Sequence, residues 1–408
     1  MDSNSRGATE IYYDPYDFEI DSDPYPIWKR MRNEVPLYYN EKHDFYALSR
    51  YEDVKKCLKD HETYISGKGT VMELIKAEFQ APPGMIIFED PPIHDIHRNL
   101  LRKVFTPASI DELEPHVRNF CAAALDPFVE TGRFDFIHDL GAEMPMRVIG
   151  MLLGIPDADQ AGLRDQLNSN MTLTEEGKPK EEFFGNKREI DPYEIFANYL
   201  DWRTQNKSDD LMTKLLTIEF EDIDGQTRTL RRDEILGIVN LVAAAGNETT
   251  TRLIGWTGKV LSEHPEQLKE IIDDPSLIRN AIEEVLRFET PSPVQARYVA
   301  KDVEHYGKIV PQGSVILLIN GSANRDERKY DNPDVFDIHR KPDHMTFGQG
   351  IHFCLGSHLA KLEGRIALEE VIKRFRSWKV DWTKAKQART STVRGWESLP
   401  VIADSRNS

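Results

Sequence analysis

Apolar residues recur at helical spacing along most of the chain and alternate in only a few short stretches. The longest periodic segment runs from residue 233 to about residue 262, with Ile235, Ile238, Val242, Leu253, Trp256 and Val260 on one stripe. About 30 residues rising about 1.5 Å each would span roughly 45 Å, enough to cross a whole domain. A second repeat, Leu355, Leu359, Leu362, Ile366, Leu368, Val371 and Ile372, predicts a helix that ends near Phe375. Shorter helices are predicted at 24–35, at 51–60, from 90 to about 105, as a pair within 111–153 separated by residues 132–136, and from about 277 to 288. Alternation predicts strands within 37–48 about a turn at 40–42, and again at 294–299 and 310–319, with a hairpin-like turn at 222–226. The pattern is that of a mainly α protein with a smaller β-rich lobe.

Three stretches depart from periodicity. Residues 1–9 are polar and predict a disordered tail. Residues 66–84 mix glycine and Pro82-Pro83 with an amphipathic piece, Val71, Leu74, Ile75 and Phe79, which are candidates to line a cavity. Residues 171–193 are polar and glycine-bearing, and predict a mobile connection, a lid over an entrance.

Charge and composition narrow the classes. The formal net charge is −17, with no lysine or arginine block to offset it, which argues against a nucleic-acid partner. Three cysteines without paired spacing argue against a disulfide framework and for a reducing compartment. The polar start offers no apolar region of a signal peptide, and no run approaches a membrane span, so a cytoplasmic protein without a membrane anchor is expected. At 408 residues the chain is expected to form one large domain, 1–408.

The chemistry concentrates in Phe347-Gly348-Gln349-Gly350-Ile351-His352-Phe353-Cys354-Leu355-Gly356. Here a glycine-rich loop turns into the helix that begins at Leu355, so Cys354 stands at a helix start. Free backbone N–H groups there favour a thiolate over a thiol. The glycines let the backbone approach a large flat partner closely, and His352, if protonated, would add a cation beside it. Gly348-Gln349-Gly350 also begins like a dinucleotide fingerprint, but Phe353 stands where the third glycine belongs. Cys57 and Cys121 lie in helical patterns and are expected to be small core hydrophobes.

The loop resembles the heme-binding segment of the cytochrome P450 family, F-x-x-G-x-[HR]-x-C-x-G, with Phe347, Gly350, His352, Cys354 and Gly356 at every fixed position. The resemblance implies the P450 fold, heme b (iron protoporphyrin IX), and Cys354 as the thiolate ligand of its iron. Other motifs of the family follow in its order. Asp90-Pro91-Pro92-Ile93-His94 with Arg98 resembles the entry whose histidine and arginine hold a heme propionate. Arg297 matches a strand arginine of the same use, so His94, Arg98, Arg297 and His352 are implied to neutralise two carboxylates. Ala244-Ala245-Gly246-Asn247-Glu248-Thr249 resembles the distal motif A-G-x-[DE]-T. By that resemblance Thr249 stabilises the iron-bound oxygen species, Glu248 helps deliver protons, and Ala245 packs against the heme. Glycine and threonines in mid-helix are expected to bend or open it. Glu284 and Arg287 match E-x-x-R, with Arg340 as the later arginine of a clamp on the cysteine loop.

Val294 and the turn at Thr392-Val393 stand where the family contacts substrate. With Ala244, Ala245 and Thr249 they suggest a mostly apolar pocket for a hydrophobic small molecule. The implied reaction is monooxygenation of a sterol, terpenoid or fatty-acid-like substrate, with electrons from an external ferredoxin and its reductase. Arg102, Lys103 and Lys361 are expected to form the docking patch. The competing readings are a peroxide-using heme-thiolate enzyme, a non-catalytic heme binder, and a zinc enzyme using Cys354 with His352, His358 or His344.

Overall fold

The computed structural model describes residues 11–156, 158–160, 192–390 and 392–406. The expected disordered tail lies outside them up to Glu10. So does the expected lid up to residue 191, whose last two residues open the helix Pro192–Gln205.

Helices build the larger part. The long helix Arg232–Glu263 is the axis of the body, and Ile235, Ile238, Leu253, Trp256 and Val260 of the predicted stripe are all buried, with Val242 half-buried. Its glycines set how closely neighbours approach. A Cβ on Gly258 would stand 2.7 Å from the Phe136 ring, and one on Gly246 would stand 2.5 Å from Ile149 Cδ1. The helix assignment runs unbroken through Gly246 and the threonines. The expected opening does not occur, because Thr249 Oγ1 donates to the Ala245 carbonyl at 2.8 Å while the backbone ladder persists.

Between residues 111 and 153 the two predicted helices are present as Glu114–Leu125 and Glu143–Leu153. The connection is more ordered than expected. Arg133–Asp135 forms a strand, paired with Pro400–Ser405, and Phe136–Gly141 winds as a wide π turn against the long helix.

The β-rich lobe is a five-stranded sheet ordered Leu37–Asn40, Phe45–Leu48, Val315–Leu318, Gln295–Val299, Tyr64–Ile65. The predicted strand over 310–319 is shorter than its pattern. Val310 closes a separate hairpin, Val303–His305 with Lys308–Val310, and a turn intervenes before Val315. The turn at 222–226 does join two strands, Glu219–Glu221 and Thr227–Thr229. Apolar clusters follow this division: one surrounds the long helix, and two smaller ones sit on the faces of the sheet.

Candidate heme-thiolate site

The cysteine loop is held by residues far from it in sequence. Arg287, fully buried on the helix Ile278–Phe288, forms a two-bond pair with Glu284 at 2.7 Å each. It also donates to the carbonyls of Asn324 at 3.0 Å, Pro333 at 2.8 Å and Val335 at 3.2 Å. Arg340 completes the expected triad, its Nε 3.2 Å from Glu284 Oε1. Asn324 then passes the constraint on: its Oδ1 accepts from Met345 N at 2.6 Å and its Nδ2 donates to Thr346 Oγ1 at 3.0 Å. Thr346 Oγ1 donates to the Leu286 carbonyl at 2.7 Å. Met345 and Thr346 immediately precede Phe347, so the buried clamp reaches the first residue of the loop.

Within the loop, Gly348 and Gly350 adopt φ of +71° and +74°. Gly350 has no room for a side chain in any case, since a Cβ would stand 2.7 Å from the Leu58 carbonyl oxygen. Cys354 N donates to the Phe347 carbonyl at 2.8 Å, closing the loop on itself. The helix begins at Ser357, three residues beyond Cys354 and later than the apolar repeat suggested. Burial pushes the Cys354 thiol up from its ordinary value, while the Gly356 N–H, Arg98 and Lys361 pull it down. The thiolate expected from a helix start is therefore not favoured by this chain alone; burial dominates, and a bound cation would deprotonate the sulfur.

His94, Arg98, Arg297 and His352 converge beside this loop. The rings of His94 and His352 lie 4.4 Å apart between centroids, and Arg98 donates to the Phe353 carbonyl. His94 Nε2, Arg98 Nε and His352 Nε2 are buried nitrogens with no hydrogen-bond acceptor among the described residues. Buried donors are nearly always paired, so three orphans from two elements are suited to an anionic acceptor. Arg297 is buried, and burial lowers it to about 10, with Asp90 opposing. Burial, then the charges of Arg297, His94 and Arg98, lower His352 to about 3, so with no anion beside it the ring is neutral. A Cβ at Gly356 would meet no protein atom within 4 Å, which leaves the backbone beside the sulfur open to a flat partner. A heme with two carboxylates fits this set of donors.

On the long helix, Ala245 and Thr249 share a face that is not covered by packing, with Ala244 half-buried beside it. Glu248 points elsewhere. It is buried and ion-paired with Arg252, whose other nitrogen donates to the Trp396 carbonyl. The acid implied for proton delivery is thus ion-paired with a partner one turn on. Thr250, two residues beyond Glu248, bonds Glu363 on the helix Ser357–Arg374, and burial raises the Glu363 carboxyl well above its usual range.

Val294, Thr392 and Val393 do come together, in a cleft between the N-terminal segment and the sheet with Tyr13, Trp28 and Val71. Ala244, Ala245 and Thr249 are not among its lining residues. The cleft is also more polar than expected: Asp21, Glu73 and Arg394 share its wall, and burial raises Asp21 to about 6 against the pull of Arg394. Of the expected docking cations, Arg102 and Lys103 are exposed on the last turn of Ile93–Val104, whereas Lys361 is paired with Glu283 at 2.7 Å. The zinc reading loses its ligands. His358 pairs with Asp111 and His344 with Glu283, and among the described residues no three His, Cys, Asp or Glu side chains gather to hold a metal ion.

Sequence reasoning missed Arg252, Asn324, Thr346 and Glu289. Glu289, two residues beyond Arg287, is buried against Tyr25 Oη at 2.6 Å and Arg394 Nη1 at 2.7 Å, which ties the Thr392-Val393 turn to the N-terminal segment. Arg252 lies within the long helix, whereas Glu289 and Asn324 cap helix ends and Thr346 lies in a turn, so no shared local pattern marked them.

Residues 187–394 match the family model described as cytochrome P450. The chain is 36% identical over 403 residues to the putative cytochrome P450 123 of Mycobacterium tuberculosis strain H37Rv, covering 98% of this chain and 99% of that protein. It is 31% identical to the vitamin D(3) 25-hydroxylase of Pseudonocardia autotrophica, covering 94% and 95%. CYP109E1 from Bacillus megaterium, solved in complex with testosterone, superposes with a TM-score of 0.84 at 28% identity over 95% of this chain and 99% of that one. Near full-length likeness in sequence and fold, together with a cysteine loop and donor set suited to heme b, makes this chain a member of the cytochrome P450 family of heme-thiolate enzymes.

Proposed function

We propose that this enzyme is a monooxygenase that inserts one oxygen atom from O₂ into a C–H bond of a hydrophobic small molecule of sterol, terpenoid or fatty-acyl type. The observation that carries this reading is the uncovered Ala245–Thr249 face of the long helix, with a hydroxyl placed on it and a carboxyl next in sequence. The bound heme, ligated by Cys354 as the metal ligand, supplies the oxygen-activating chemistry. This chain's residues do the rest. Phe347, Gly348, Gly350 and Gly356 shape the loop, and His94, Arg98, Arg297 and His352 donate to the two carboxylates. Thr249 spends its own hydrogen on the Ala245 carbonyl, so its oxygen faces the site as an acceptor that fixes a water or a protonated oxygen there. Glu248 serves proton delivery, held in place by its ion pair with Arg252. The whole chain acts as one such domain.

The substrate class rests on two similar proteins, a vitamin D(3) hydroxylase and a testosterone-bound structure, and on the apolar part of the cleft, Val294, Val393, Trp28 and Val71, beside its polar wall. Electrons are assigned to a separate ferredoxin that docks at Arg102 and Lys103, exposed on the helix whose Arg98 donates to the Phe353 carbonyl of the cysteine loop. The test is spectroscopic. The reduced, carbon monoxide-bound protein should give the strongly red-shifted Soret band of a thiolate-ligated heme, and testosterone should shift the ferric spectrum toward high spin. A histidine-type band would remove Cys354 as ligand. Full turnover with peroxide but none with ferredoxin, reductase and O₂ would favour the peroxide-using alternative.

A further inference from the structure

Three indoles run from the long helix to the surface. Trp256 is 1% exposed, and its ring centroid lies 5.7 Å from that of Trp396. Trp396 in turn lies 5.5 Å from Trp382, which is 53% exposed. Both pairs are edge-to-face contacts of neighbouring aromatic rings. Trp256 stands seven residues after Thr249, so it returns to nearly the same helix face, about 10 Å along the axis from the distal hydroxyl.

The polar surroundings of the three rings differ in a graded way. Trp256 is flanked by Arg394 Cζ at 4.7 Å and Lys259 Nζ at 5.6 Å from its centroid. Both cations are ion-paired, Arg394 with Glu289 and Lys259 with Glu263 and Glu289, but their charged ends stand closest to the ring. Their proximity to the Trp256 ring opposes a positive charge on it. Its N–H donates to the Arg394 carbonyl at 2.9 Å, an oxygen too weakly basic to take the proton. Trp396 Nε1 is buried with no acceptor among the described residues. A buried donor left unpaired costs stability that phenylalanine would not cost, and a ring that cannot release its proton cannot trap a radical as the neutral form. Trp382 alone has water at hand.

We propose that Trp256, Trp396 and Trp382 form an outward relay that drains oxidising equivalents from the heme when peroxide reacts there without substrate. This rests on the heme-thiolate reading above. One electron leaves the indole of Trp382 and passes inward through Trp396 and Trp256. It reduces by one equivalent the heme that hydrogen peroxide has oxidised. The Nε1 proton of Trp382 goes to water, leaving a neutral indolyl radical at the surface. The cations around Trp256 and the missing acceptor at Trp396 both push the hole outward to where it can be quenched by solutes.

The experiment doses the heme-loaded, substrate-free protein with hydrogen peroxide and follows tryptophanyl radicals by freeze-quench electron paramagnetic resonance. Oxygenated tryptophan is then located by peptide mass spectrometry. Trp202 is the internal control: at 51% exposed it meets bulk peroxide as Trp382 does, but no indole contact links it to the long helix among the described residues. Arg203 stacks on Trp202, so the decisive comparison is between variants. In Trp396→Phe, which removes no hydrogen bond, oxygenation of Trp382 should fall severalfold to the level of Trp202, and the Soret band should bleach severalfold faster. In Trp382→Phe the radical should persist on Trp396 as a cation. Equal oxygenation of Trp382 with and without Trp396, or peroxide consumed with no tryptophanyl radical, would overturn the relay. A protein lacking the heme-thiolate Soret band before peroxide is added would overturn the underlying heme assignment instead.

Discussion

Replacing Glu289 by glutamine tests how the C-terminal turn is anchored. The carboxylate is 3% exposed, and burial alone would raise it, but Arg394, Lys259, Arg325 and the Tyr25 hydroxyl overcome that and hold it at about 2. A carboxyl that ordinarily titrates at 4.5 and here titrates at about 2 contributes roughly 3 kcal/mol at neutral pH. Glutamine keeps the shape and the bond from Tyr25 but removes the charge, leaving Arg394 and Arg325 buried without their shared partner. Loss of one member of such a buried group costs roughly 3–5 kcal/mol, so the two routes agree in size. The sign follows from the depressed value: the contribution is complete above 4.5 and is lost as pH falls toward about 2. Urea unfolding of wild type and Glu289→Gln, followed by tryptophan fluorescence, should differ by about 3 kcal/mol. That difference should stay flat from roughly pH 8 to pH 5, because both titrations lie below that window. A loss under about 1 kcal/mol, or one that already shrinks between pH 8 and pH 6, would refute the assignment of a depressed carboxylate.

Thr249→Ala should retain heme binding but divert electrons, with more peroxide and less product per reduced ferredoxin; unchanged coupling would remove the hydroxyl from proton delivery. Arg287→Ala should abolish stable heme loading by stripping a fully buried ion pair, at a cost of roughly 3–5 kcal/mol, whereas Arg340→Ala, at a site 15% exposed, should cost about 1 kcal/mol. Heme content per purified chain compares the two. Gly237→Ala should displace the segment carrying Pro82-Pro83, since a Cβ there would stand 1.9 Å from the Pro83 carbonyl oxygen, and ligand on-rates measured by stopped flow should change. Arg102→Glu with Lys103→Glu should slow ferredoxin-dependent reduction at low salt and leave dithionite reduction alone; equal ferredoxin rates would place the docking patch elsewhere.

The helices and the cysteine loop were legible in the sequence because their signals are local. The stripe from Ile235 to Val260 and the repeat after Cys354 each declare themselves within a few turns, as does the spacing of His94 and Arg98. What was illegible depends on distant partners. The strand Arg133–Asp135 is only three residues long and exists because residues 400–402 lie beside it. The downward push on His352 comes from burial and from cations on two other segments, which residue type alone cannot express. Likewise Glu248 matched its motif, yet its pairing with Arg252 could not be separated from any i, i+4 surface pair until both were seen buried. The polar wall of the cleft had the same cause: Asp21 and Glu73 lie in segments with no motif of their own, and only the fold brings them beside Val294 and Thr392.

The clamp from Glu284 through Arg287, Asn324 and Thr346 has a bearing on how the enzyme matures. Every bond in it joins protein to protein, so the path of the chain into Phe347 is set by the polypeptide's own packing. Capture of the prosthetic group then resembles insertion into a finished slot more than the last step of folding. The entry to the loop would then be fixed before the cofactor arrives, while the unpaired nitrogens of His94, Arg98 and His352 would gain their acceptors only as it binds.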